Sequence, residues 1–187
     1  MSRTAFIAVD VQNDYQPGGA LGSPDSDRII EPLIEYATLA ADVVIASRNL
    51  HPDDYDFGTS PPSCIKGTPG ARIVTDLAVI VAKPENYVIS KGMDRGQGGY
   101  SAFEGGTLRP LESLEDILRN EKITHVAVGG YWLDLCVAQT AFDAAALGYA
   151  TAIEMTCTLP FPEFNHDSSP QRKATFERLE RAGVPVV

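Results

Sequence analysis

The sequence predicts an α/β protein with a Rossmann-like, doubly wound, mainly parallel sheet and helices on both faces. The first observation is that short apolar runs rich in β-branched residues alternate with helical patterns along the chain. The second is that these runs are nearly continuous rather than alternating, which is typical of strands covered on both faces. The chain has 187 residues, so we expect one domain over residues 1–187.

Five apolar runs are predicted strands, and four segments between or after them are predicted helices. The first helix has apolar residues at positions 29, 30, 33, 34 and 37, which form one helical face. The final "VPVV", residues 184–187, is a candidate last strand. In chain order the strands are "TAFIAVD" (4–10), "DVVIASR" (42–48), "YVISK" (87–91), "THVAVGG" (124–130) and "TAIEM" (151–155), and the helices cover 28–40, 111–119, 137–147 and 171–182.

Two long segments interrupt this alternation, at residues 51–70 and 91–110. The first is dense in Pro, Gly, Asp and Ser, and the second is rich in Gly. Connections of this length in a compact domain tend to be functional. Both follow predicted strands, so we expect them to lie over the carboxyl edge of the sheet, where open α/β sheets bind ligands.

Composition narrows the class of partner. The formal net charge is −10, and no cluster of Lys or Arg suggests a nucleic-acid surface. Three widely spaced cysteines, at positions 64, 136 and 157, do not form a disulfide framework and fit a reducing cytoplasm. We expect no signal peptide and no membrane span, because neither apolar pattern is present. We expect this protein to be cytoplasmic and its partner to be a small molecule.

Three reactive side chains stand at corresponding places: Asp10 and Lys91 end strands, and Cys136 opens a helical segment after a strand. Each alone has an ordinary explanation, as a turn residue, a solvated charge or a small core residue. Together, on one edge of a parallel sheet, they favour catalysis.

The chemistry that unites these three groups is nucleophilic attack by sulfur, which requires a thiolate. A helix N-terminus and the Lys91 ammonium would stabilise that anion, and Asp10 would take the thiol proton. Ordinary Cys and Asp pKa values differ by about 4.6 units. We therefore predict a raised Asp10 pKa and a lowered Cys136 pKa. The glycines of "GGYWLD" permit main-chain N–H groups to form an oxyanion site.

Other chemistries fit less well. A response-regulator receiver needs a phosphoacceptor Asp at the end of the middle strand, where this chain has Arg48 and Asn49. An Asp-x-Asp phosphatase needs its acids two positions apart, whereas "DVQND" separates them by four. A dithiol redox site needs a C-x-x-C pair, which the sequence lacks.

The motifs "VDVQNDY", "SKG", "GGYWLDLCVAQTA", "PPSCIKGTPGA" and "YSAFEG" resemble the nicotinamidase/pyrazinamidase branch of the isochorismatase-like cysteine hydrolases, from about residue 4 to 157. The resemblance implies a catalytic triad of Asp10, Lys91 and Cys136. It implies that a carboxamide is hydrolysed through a Cys136 thioester, with nicotinamide giving nicotinate and ammonia. The N–H groups of Trp132 and Cys136 would hold the oxyanion, after a cis peptide bond between residues 131 and 132.

The same resemblance implies a substrate pocket. Tyr15, Tyr100 and Trp132 would wall a flat ring, although each has core packing as an alternative. Relatives of this branch hold a divalent metal, but Asn49 and Ser63 stand where two ligands are expected and only His51 remains. We therefore expect no cofactor and assign His51 to hydrogen bonding in the pocket. His125 and His166 do not replace the missing ligands, and oxygen ligands from Asp53, Asp54 or Asp56 are the alternative.

Three functions stay open on these residues. The first is a nicotinamidase-like amidohydrolase. The second is a metal-independent cysteine hydrolase acting on another small amide, a ureido compound or a vinyl ether. The third is a non-catalytic binding protein on the same fold. The sequence is compatible with a homo-oligomer. It assigns no role to the tail, residues 158–187.

Overall fold

A computed structural model describes residues 2–94, 99–108, 110–164 and 169–187. Its centre is one five-stranded sheet in which every neighbouring pair is parallel, in the order β3-β2-β1-β4-β5. The strands are β1 (Thr4–Val9), β2 (Val43–Asn49), β3 (Tyr87–Lys91), β4 (His125–Tyr131) and β5 (Ala150–Leu159).

Both faces of the sheet are covered by helices, which confirms the predicted doubly wound class. The helices are α1 (Ile30–Leu39), α2 (Thr75–Val81), α3 (Leu114–Asn120), α4 (Ala138–Ala146) and α5 (Pro170–Arg181). Along β1, Ala5 and Ile7 pack in one core with α3, α4 and α5, whereas Phe6 and Ala8 pack in a second core with α1 and α2. This division follows from the two-residue repeat of a strand.

The structure differs from the sequence prediction in three elements. The short helix α2 was not predicted, because "DLAVIV" is as apolar and β-branched as a strand. The predicted last strand is reduced to a single bridge between Val186 and Ile153 on β5. Strand β5 is longer than the predicted 151–155 and carries a register shift opposite Val128 and Gly130.

The carboxyl ends of β1, β3 and β4 meet at one edge of the sheet. Gly130 adopts a φ of 121°, and a Cβ there would lie 2.1 Å from the Val9 carbonyl oxygen. Only glycine allows β4 to come this close to β1 in that conformation. The Tyr131–Trp132 peptide is cis, as predicted. The chain then enters a π-helical turn, Leu133–Val137, which leads into α4.

Within the described ranges, no helix has the length and apolar composition needed to cross a bilayer.

Candidate active site

Asp10 directly follows β1 and is fully buried. Its φ is 55°, a left-handed conformation that aspartate tolerates better than most residues. The carboxylate oxygen Oδ1 accepts a hydrogen bond of 2.7 Å from the Ser47 hydroxyl. The Asp10 N–H in turn donates to the Ser47 carbonyl at 3.1 Å. These contacts tie the carboxylate to the neighbouring strand β2.

Lys91, the last residue of β3, is 1% exposed. Its Nζ donates to Asp10 Oδ2 at 2.8 Å, to Asn49 Oδ1 at 3.0 Å and to the Gly99 carbonyl at 2.7 Å. Burial is the largest single effect and would lower the Lys91 pKa, but Asp10 and Cys136 together outweigh it, so the pKa is raised. The buried ammonium is therefore charged and forms an ion pair with Asp10.

Cys136 lies in the π-helical turn, and its Sγ is 3.7 Å from Lys91 Nζ. The structure thus brings the three predicted groups together around one ammonium. However, the predicted lowering of the thiol pKa is wrong for the resting protein. Burial raises the Cys136 pKa to about 12, because Lys91 opposes this shift only in part and the Asp10 charge adds to it. The resting sulfur is a neutral thiol next to an ion pair.

Two further residues, Asn49 and Gln12, belong to this hydrogen-bond network. The sequence did not indicate that either residue contacts the triad. Asn49 Nδ2 donates to Asp10 Oδ2 at 3.1 Å, while its Oδ1 accepts from Lys91. The side chain of Gln12 holds the Asn49 backbone, accepting from its N–H at 2.8 Å and donating to its carbonyl at 2.9 Å. Both side chains are buried. The motif "DVQND" contains Gln12, but its spacing alone does not indicate a partner.

A cavity of about 280 Å³ opens above Cys136. This volume suits a single-ring molecule, because drug-sized ligands occupy larger pockets. A larger apolar groove, of about 650 Å³, lies beside α5 and contains none of the predicted site residues. The smaller cavity is lined by Tyr15, Leu21, Asn49, His51, Tyr55, Asp56, Phe57, Ser60, Ser63, Tyr100, Trp132, Leu135, Cys136 and Phe161.

All four residues predicted to bind substrate line this cavity. Trp132 contacts Tyr15 and Phe161 edge-on, with ring centroids 5.8 and 5.7 Å apart. Tyr100 is 50% exposed, so core packing does not explain it and it stands at the cavity mouth. Aromatic side chains of this kind pack against a flat ring, and the Cys136 thiol is the nucleophile among the residues that line the cavity.

His51 also lines the cavity, and its ring is held by a backbone hydrogen bond. Its Nδ1 lies 2.9 Å from the Gly92 carbonyl oxygen, which can only accept, so Nδ1 carries the proton and Nε2 is left as an acceptor. Burial lowers the His51 pKa and favours the neutral ring. Gly92 has a φ of 64°, and a Cβ there would lie 2.8 Å from His51 Cε1.

The described residues around His51 differ from the metal ligands that the resemblance implies. In the part of the chain that the structure describes, no three His, Cys, Asp or Glu side chains come together to hold an ion. The Asn49 side chain is already bonded to Lys91, Asp10 and the Tyr15 hydroxyl. Asp53, Asp54 and Asp56 are exposed, and His166 lies outside the described residues. These side chains do not fit the metal site that the resemblance implies.

Comparison with known proteins agrees with the motifs. The isochorismatase domain matches residues 4–186. The chain belongs to the isochorismatase family. The nicotinamidase/pyrazinamidase of Mycobacterium tuberculosis is 34% identical to it over 193 residues, which cover 98% of this chain and 97% of that protein. Within the isochorismatase family the chain therefore belongs to the nicotinamidase/pyrazinamidase branch. The nicotinamidase of Escherichia coli is 30% identical over 80% of this chain and 79% of that protein.

Solved structures of this isochorismatase family share the fold over almost the whole chain. The Pyrococcus horikoshii pyrazinamidase, solved in complex with zinc, superposes with a TM-score of 0.80 at 30% identity, covering 99% of this chain and 98% of that one. A protein from L. infantum, solved in complex with nicotinate, gives a TM-score of 0.83 at 25% identity, covering 100% and 92% of the two chains.

Proposed function

We propose that this protein is a cysteine amidohydrolase that converts nicotinamide, or a closely similar aromatic carboxamide, to the carboxylate and ammonia. One observation carries the proposal: a single buried ammonium, on Lys91, lies 2.8 Å from the Asp10 carboxylate and 3.7 Å from the Cys136 sulfur. This arrangement stands below an aromatic cavity of single-ring size. The relatives from Mycobacterium tuberculosis and Escherichia coli are named as a nicotinamidase/pyrazinamidase and a nicotinamidase.

In the first half-reaction, the carbon–nitrogen bond of the amide breaks. Asp10 takes the proton of the Cys136 thiol as the sulfur attacks the carbonyl carbon, and Lys91 balances the negative charge of the pair. The N–H groups of Trp132 and Cys136 are the proposed donors to the oxyanion. Asp10 then passes its proton to the departing nitrogen, so that ammonia leaves and an acyl thioester remains on Cys136.

In the second half-reaction, a water molecule loses a proton to Asp10 and attacks the thioester carbon. The carbon–sulfur bond breaks, the carboxylic acid is released, and the proton on Asp10 returns to the sulfur. Because the resting thiol has a raised pKa, proton transfer and attack on the substrate are coupled. In this mechanism the Cys136 sulfur is therefore not ionised before the substrate binds.

A second candidate function is hydrolysis of another small amide or ureido compound by the same triad without a metal. The Asn49 side chain favours this second candidate. Its hydrogen bonds to Lys91, Asp10 and Tyr15 occupy the amide, so Asn49 does not serve as the metal ligand expected at this position. The ureidoacrylate amidohydrolase of Caulobacter vibrioides is 28% identical over 86% of this chain and 79% of that protein. Neutral His51 and the Ser63 hydroxyl are the polar groups that would hold such a substrate.

The test measures ammonia release from nicotinamide, pyrazinamide and ureidoacrylate, with and without a chelator. The wild type is compared with Cys136→Ala and with Cys157→Ala, a buried cysteine on β5 that does not line the cavity. We expect release from nicotinamide that Cys136→Ala abolishes, that Cys157→Ala retains and that the chelator leaves unchanged.

Other outcomes decide between the alternatives. Release from ureidoacrylate alone would favour the second candidate. Release from no substrate in the panel by a folded wild-type protein would contradict both and favour a non-catalytic role. Equal release by wild type and Cys136→Ala would remove the sulfur from the mechanism.

A further inference from the structure

We infer that Asn49 is a positioning residue of this active site, whose neutral amide bridges Asp10 and Lys91 and sets the geometry of both against the Cys136 sulfur. The inference rests on the proposed function, because it assigns Asn49 a task in that triad. The strand register leads to it directly, since the parallel pairing of β2 and β3 places Asn49 opposite Lys91.

The amide of Asn49 has one orientation that satisfies both neighbours. A carboxylate only accepts hydrogen bonds and an ammonium only donates them. Nδ2 must therefore face Asp10, at 3.1 Å, and Oδ1 must face Lys91 Nζ, at 3.0 Å. The second hydrogen of Nδ2 is directed to the Tyr15 hydroxyl at 3.2 Å. The amide thus uses its donors and its acceptor at the same time.

Its backbone is held as firmly as its side chain. Gln12 bonds both the N–H and the carbonyl of Asn49, and a second bond from Gln12 Nε2 reaches the Ala71 carbonyl at 2.9 Å. These contacts are buried. The Asn49 amide is therefore a fixed bridge, and it limits the motion of the long Lys91 side chain.

Neither a charged nor an apolar isostere can replace this amide. An ionised Asp at position 49 accepts but cannot donate, so it would place a second carboxylate against Asp10 and oppose formation of a Cys136 thiolate. A Leu of similar volume offers neither donor nor acceptor, and would leave one bond of Asp10 and one of Lys91 unmade in a buried site. Both changes should affect the chemical step more than substrate binding.

The experiment compares Asn49→Asp and Asn49→Leu with a matched control, Asn86→Leu. Asn86 also bridges two partners, but these are the backbone groups of Val44 and Ile80, far along the strand from the site. For each folded variant, kcat and KM for ammonia release are measured. The rate of Cys136 alkylation by iodoacetamide at pH 8 is measured by peptide mass spectrometry.

We expect kcat to fall about tenfold or more in both Asn49 variants with KM changed less than about threefold, a pattern that marks loss of transition-state stabilisation. We expect Asn49→Asp to slow Cys136 alkylation about tenfold, and Asn86→Leu to alter neither rate. Wild-type kcat in either Asn49 variant, or unchanged alkylation in Asn49→Asp, would overturn the inference. The alkylation comparison needs no substrate, so it tests Asn49 even if nicotinamide is not hydrolysed and the proposed function fails.

Discussion

Replacing Lys91 with Met should destabilise the protein as well as inactivate it. Lys91→Met removes the only charged partner of Asp10 among the described residues, and leaves the carboxylate with neutral donors from Ser47 and Asn49. Asp10 is fully buried, and breaking a buried ion pair by deleting one partner costs about 3–5 kcal/mol. Small domains are stable by about 5–15 kcal/mol, so the variant should still fold.

The assay is urea unfolding at pH 7 of the wild type, Lys91→Met, Asp10→Asn and the double variant. Because the double variant has no uncompensated charge, we expect it to be more stable than Lys91→Met by about 1 kcal/mol or more. A loss below about 1 kcal/mol in Lys91→Met would refute the account of the buried charge. A double variant no more stable than Lys91→Met would refute it as well.

Three further outcomes follow from the same geometry. Cys136 should be alkylated faster than Cys64 or Cys157 at neutral pH, because it alone of the three lines the cavity; equal rates would contradict its placement. The Cys136 alkylation rate should keep rising with pH towards about 12, where burial sets its pKa, and a plateau near pH 8 would show a lowered pKa instead. Since the folded thiol has the higher pKa, its contribution to stability is complete below the unfolded pKa of about 8.5 and is lost at about 1.4 kcal/mol per pH unit above it. Cys136→Ala should therefore lose stability less steeply than the wild type between about pH 9 and 12, as measured by denaturant titration, and identical slopes would contradict this.

The strand-end residues were predictable because parallel strands bring their carboxyl ends to one edge. Asp10 and Lys91 end strands in the sequence, and that rule alone places them together with Cys136. Helix α2 was not predictable in the same way, because its apolar, β-branched residues have no helical periodicity over so short a length.

The role of Asn49 depends on tertiary register. Only the alignment of β2 with β3, which sets Asn49 opposite Lys91, shows that its amide joins two charges. The raised pKa of Cys136 depends mainly on burial. The helix N-terminus and Lys91 are visible in the sequence, whereas the burial of the thiol is not. Residues 95–98 and His166 lie outside the described part of the chain, so the predictions that involve them stay predictions.

The most direct test of the mechanism is acid quenching during turnover of nicotinamide, followed by mass spectrometry of the peptide that contains Cys136. The account predicts a nicotinoyl group attached to Cys136 in the wild type, and neither the adduct nor ammonia release in Cys136→Ala. A nicotinoyl group on a different residue, or undiminished ammonia release by Cys136→Ala, would contradict it.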